Sequence, residues 1–87
     1  MPVDPTDPDY REFVQSITYR PRTRVGYLKL ARGYPPSMED TIRLFTQIDP
    51  TVRTILCYDG RHLNTRYSKF SQGWECTLYE PMTGPYR

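Results

Sequence analysis

From Val52 to Glu80 strand-forming apolar, β-branched and aromatic residues recur, interrupted at Asp59-Gly60 and at Gln72-Gly73. A period of two marks a strand with one buried face. Asp-Gly between strand-like runs is a strong hairpin signal, because a two-residue type I′ turn needs positive φ at both central positions. The stretch is therefore expected to form a three-stranded antiparallel meander. A loop at Asp59-Gly60 sets Tyr58 opposite Arg61, Cys57 opposite His62, Leu56 opposite Leu63 and Arg53 opposite Arg66. A loop at Gln72-Gly73 sets Lys69 opposite Cys76, Tyr67 opposite Leu78 and Arg66 opposite Tyr79. One face then collects Val52, Thr54, Leu56, Leu63, Thr65, Tyr67, Trp74, Cys76 and Leu78 as a core face. The other collects Arg53, Ile55, Cys57, His62, Asn64, Arg66, Ser68, Phe70, Glu75, Thr77 and Tyr79. A three-residue second turn would invert the last strand.

Upstream, the spacing of Met38, Ile42, Phe45 and Ile48, widened by Leu44, predicts an amphipathic helix. Ser37 is its expected N-cap, Glu39 and Asp40 suit its first turn, and Asp49-Pro50 ends it. Phe45 and Ile48 are expected to pack on Leu56, Leu63 and Leu78. Val25 to Ala31 reads as a strand with Val25, Tyr27 and Lys29 on one face, and Arg32 to Pro36 as a loop. Near the start, Asp7-Pro8-Asp9 resembles a helix N-terminus, and Tyr10, Phe13, Val14 and Ile17 lie at helical spacing. A helix from Pro8 to Ser16 is the preferred reading, against a strand favoured by Ser16-Ile17-Thr18-Tyr19. Residues 1–6 and 81–87 are expected to be flexible tails. The fold class is α+β, with one or two helices packed on one face of a four-stranded, mainly antiparallel sheet that contains the C-terminal three-stranded meander. Beside which meander edge the strand Val25 to Ala31 pairs is open at this level.

Length changes what such a fold can do. Eighty-seven residues make one small domain, stable by roughly 4–13 kcal/mol, with little to spare for a deep catalytic cavity. An aromatic content of 14% argues for a packed domain over disorder. The net charge of +2 is too small to imply nucleic-acid binding by itself. No run spans a bilayer and the N-terminus lacks an apolar signal core, so a cytoplasmic location and no membrane partner are expected. In the register above, Cys57 and Cys76 fall on opposite faces, out of disulfide reach, which predicts two free thiols.

Candidate chemistry is sparse. The register juxtaposes Cys57 and His62, the kernel of thiol catalysis, but no third residue orients the imidazole and no oxyanion hole is evident. One His and two Cys do not make a zinc site, and neither GxxxxGK[ST] nor GxGxxG occurs, so no metal and no cofactor are expected. The stronger feature is the polar sheet face, where Arg53, Arg66 and Tyr79 fall in one row with His62 and Phe70 around them. The Arg20, Arg22 and Arg24 run adds alternating positive charge that could grip phosphates or an acidic partner, or form a solvated turn. These eight residues are the expected partner-binding set. The bland alternative covers this face with the Arg20–Arg24 segment or the N-terminal helix, Glu12 or Asp9 pairing the arginines. The expected function is a small non-enzymatic binding module, an adaptor or inhibitor docking on a larger protein or complex through Arg and Tyr. The runner-up is binding of single-stranded nucleic acid or RNA through the same face. A distant third is a Cys57-dependent enzyme.

Overall fold

The computed structural model describes residues 11–70 and 72–79. Among these residues five strands and one complete helix follow in the order β1 (Val14–Arg20), β2 (Val25–Leu30), α1 (Met38–Ile48), β3 (Thr54–Asp59), β4 (His62–Phe70) and β5 (Gly73–Leu78). The strands form one sheet whose spatial order is also β1-β2-β3-β4-β5. Three neighbouring pairs are antiparallel, and β2 with β3 is parallel. Parallel neighbours need a long crossover, and α1 supplies it. The fold is thus α+β with a mixed five-stranded sheet, one strand more than expected. The strand Val25–Leu30 lies beside β3.

The added strand replaces the end of the expected N-terminal helix, residues 14–16, while Arg11 is helical. Pro8 to Tyr10 of that helix lies outside the described residues, and from Val14 onward the chain is extended. A bulge explains the misleading spacing. Val14 pairs with Leu30 but Ser16 with Lys29, so Gln15 is an extra residue. It resets the alternation and puts Val14 and Ile17, three apart, on the same core-facing side. Apolar residues three apart on a bulged strand imitate a helical period.

A second register change flips β3. The hairpin loop is Gly60-Arg61, with Asp59 opposite His62, and within it only Gly60 takes a positive φ (+65°), the pattern of a two-residue turn with glycine first and not of the expected type I′. Beyond it, Tyr58 pairs with Leu63 but Cys57 with Thr65, leaving Asn64 as a bulge. The combined slip is odd, so Ile55 and Cys57 share a face with Thr65 and Tyr67, while Leu56 and Tyr58 turn to the other. The expected Cys57–His62 and Arg53–Arg66 pairs are not formed: Cys57 faces Thr65, and Arg66 faces Leu56 and Thr77. In β5 the slip is even, with Lys69 opposite Trp74 and Tyr67 opposite Cys76, so those faces stand as expected. Cys57 and Cys76 therefore lie on one face rather than two, and both are free thiols.

Helix α1 covers that face. Phe45, Leu28, Ile55, Cys57 and Val52 are buried, with Leu30, Leu44 and Tyr67. Ile48, expected in the core, is 48% exposed, and Leu44 takes the inward position instead. The Phe45 ring lies on the backbone of Gly26: a Cβ there would sit 2.4 Å from Phe45 Cδ1. A glycine inside a strand commonly marks such an approach.

Polar contacts fix both helix ends. The Ser37 hydroxyl accepts from the Asp40 N–H at 3.1 Å. At the far end the Asp49 N–H donates to the Phe45 carbonyl at 2.9 Å. The Asp49 carboxylate accepts from the Thr51 N–H and hydroxyl at 2.9 and 2.7 Å and from the Tyr19 hydroxyl, which joins the helix end to β1. Ser37→Ala is expected to cost about 1 kcal/mol of stability, read as a lower urea midpoint at unchanged m-value.

Candidate functional site

With one face under α1, strand alternation assigns the other. Its central row runs Thr18–Tyr27–Leu56–Arg66–Thr77 across all five strands. Arg20, Val25, Thr54, Ser68 and Glu75 form the row on one side, and Ser16, Lys29, Tyr58 and Leu63 lie on the other. Tyr27, Leu56, Tyr58 and Leu63 are half-buried and Arg66 is exposed, so α1 leaves this face uncovered among the described residues.

Its centre is a stack of side chains. The Tyr27 and Tyr58 rings lie 6.4 Å apart between centroids and 18° from parallel. The Arg20 guanidinium sits over the Tyr27 ring at 5.1 Å. Because β2 lies between β1 and β3, the cation approaches Tyr27 from one side and Tyr58 from the other. The contact biases Arg20 toward that orientation, by an attraction of about 0.5–1 kcal/mol at an exposed site.

The expected partner-binding residues divide. Arg20, Arg66 and Phe70 lie on the uncovered face, and Phe70 is 67% exposed. Tyr79 follows β5 in the same alternation as Thr77, its N–H donating to the Asn64 carbonyl at 3.0 Å. Arg22 and Arg24 are exposed in the β1–β2 turn. Arg24 adopts φ 59°, and its carbonyl accepts the Arg53 and Thr54 N–H groups at 2.9 and 3.3 Å, tying the turn to the start of β3. Arg53 precedes β3 and is in step with Ile55 and Cys57, so it belongs to the helix side. His62 lies opposite Asp59 and also faces that side. The structure thus places Arg20, Arg66, Phe70 and Tyr79 on one face, spread from β1 to the two ends of the β4–β5 hairpin, and separates Arg53 and His62 from them. Glu12, expected to answer the face arginines, pairs with Arg32 at 2.9 Å, and Asp9 lies outside the described residues.

Tyr27, Leu56, Tyr58 and Lys29 were not among the expected binding residues. Tyr27 and Lys29 shared a face in the sequence pattern, but only the parallel pairing of β2 with β3 brings them to Leu56 and Tyr58.

The thiol site has a different character. Burial first, and Cys76 second, push the Cys57 thiol from its usual 9.0 to about 12. Nucleophilic cysteines are shifted the opposite way. Alkylation at neutral pH, mapped by mass spectrometry, is expected to label exposed Cys76 and spare Cys57 until the chain is unfolded. Equal labelling in the folded state would contradict the packing of β3. Among the described residues no group of three His, Cys, Asp or Glu could hold a metal, and no helix is long and apolar enough to cross a membrane. Set beside protein-family models, curated proteins and solved structures, the chain has no significant match to any of them.

Proposed function

We propose that this chain is a small non-enzymatic binding module, an adaptor or inhibitor, that docks on a larger protein through its uncovered sheet face. The observation that carries this reading is the Arg20–Tyr27–Tyr58 stack at the centre of that face. Tyr and Arg are the side chains most enriched at interface hot spots, since they bring large area and directional donors at small entropic cost. Here their mutual contact restrains them before any partner arrives, which lowers the ordering cost of binding. Leu56 and Leu63 supply apolar surface beside the stack. The cytoplasm suits a chain with an exposed free thiol at Cys76.

Single-stranded nucleic acid is the second reading, favoured by exposed Phe70 and Tyr79 at the β5 end of the face. Base stacking needs a ring with a free face. Tyr27 is already in contact with both Arg20 and Tyr58. That arrangement favours protein docking.

The test is affinity capture with the full chain, a Tyr27→Ala/Tyr58→Ala variant and a helix-side Gln47→Ala control, each with and without nuclease. A protein retained by wild type and control, lost by the double variant and indifferent to nuclease is the expected result. Retention that vanishes with nuclease, or survives the double variant, overturns the reading.

A further inference from the structure

We infer that the protein surface docked on this face is acidic, with Asp and Glu side chains arranged around an apolar or aromatic centre. The inference rests on the docking reading above and adds the chemistry of the partner. Among the charged side chains that alternation places on β1 to β5 of this face, Arg20, Lys29 and Arg66 are positive and Glu75 alone is negative. The three cations surround Tyr27, Leu56 and Tyr58, whereas Glu75 stands on the β5 edge. None of the three has an ion pair among the described residues, so folding leaves their charge uncompensated. The helix side is mixed: Glu39 and Asp40 open α1, which also carries Arg43, and Lys69 lies opposite Trp74 there. On the uncovered face, positive charge coincides with the aromatic stack.

That coincidence constrains the partner. Closing a neutral surface over Arg66 and Lys29 would strip water from two cations without replacement, a cost that works against binding. Carboxylates on the partner remove that cost. They also speed encounter, by a factor of about 10 to 1,000 where complementary fields steer association at low salt. Arg20 is preset for such a contact, because the Tyr27 ring already orients its planar fork of donors.

The test is a random-peptide display selection on the immobilised full chain, followed by titration of the enriched peptides into isotope-labelled protein. Enriched peptides are expected to combine Asp or Glu with aromatic or aliphatic residues and to shift the amide signals of Tyr27, Leu56, Tyr58 and Arg66. Arg66→Glu, and independently Lys29→Glu, are expected to weaken them about tenfold, with most of the difference lost as salt rises from about 50 to about 200 mM. Tyr58→Ala should weaken them without altering the salt dependence. Both charge variants change exposed side chains, and a thermal melt confirms that they fold. Neutral or basic peptides bound on this face overturn the acidic partner and leave the docking reading intact. Peptides that bind elsewhere, or no enrichment, overturn both. Tighter binding of a single-stranded oligonucleotide to the same face overturns both in favour of nucleic acid.

Discussion

Gly26→Ala is expected to destabilise the domain by about 3 kcal/mol, the upper end of overpacking costs. Alanine in place of a strand glycine ordinarily gains a fraction of a kcal/mol from the unfolded state. Here the gain is overwhelmed, because the new methyl would lie 2.4 and 2.5 Å from two carbons of the Phe45 ring. The ring cannot retreat cheaply, since Phe45 is fully buried among Leu28, Leu44 and Ile55. For a chain of this length a loss of that size lowers the melting temperature by roughly 12–24 °C. Phe45→Leu removes part of the clash, so Gly26→Ala should cost much less in a Phe45→Leu background than alone. A double-mutant cycle reads that coupling directly. Strict additivity of the two substitutions would show that ring and glycine do not touch.

Raising the pH from 9 to 11 is expected to remove about 2 kcal/mol through Cys57 alone. Its thiol ionises near 9.0 in the unfolded chain and near 12 when folded. Between those values the folded state holds a proton that the unfolded state has released, so stability falls as pH rises. Below 9 the full contribution is present. Burial first, and Cys57 second, also raise the Tyr67 phenol, which adds a loss of the same sign above pH 10. The two together approach the lower bound of the domain's expected stability, and a steep alkaline transition should appear in urea titrations. Cys57→Ala should flatten the part beginning near pH 9 while lowering stability at neutral pH. An unchanged alkaline slope in that variant would refute the assignment. At the acid end the sign reverses. The Tyr19 hydroxyl first, and then the Thr51 hydroxyl and N–H, hold the Asp49 carboxyl below its ordinary range, so its contribution is present above about pH 4 and lost on further acidification.

Much of the architecture was legible before the coordinates. The capped helix Met38–Ile48, the strand Val25–Leu30 and the meander needed only side-chain period and turn chemistry. β4 and β5 kept their expected faces because their slip was even. β3 did not, and with it went Arg53 and His62 as members of the binding face. Sequence pattern alone hides a one-residue bulge, because Asn64 carries no mark that separates a bulged residue from a paired one. Gln15 hid β1 in the same way, turning a strand into an apparent helical stripe. Gly26 did carry a signal, a lone glycine in a strand, but its partner Phe45 is 19 positions away, on the crossover helix.

What the chain determines by itself are the properties set by neighbours in sequence: where elements begin and end, which turns close them, and that one sheet face is apolar. These depend on backbone preference and a repeat of two or of 3.6 residues. What only the tertiary structure decided is which residues meet on the uncovered face. Tyr27 reaches Tyr58 because β2 runs parallel to β3, and Arg66 parts from Arg53 because a bulge changes parity. Both outcomes depend on packing against α1, where burying Ile55 and Cys57 with Phe45 outweighs the register that local turn preference alone would choose.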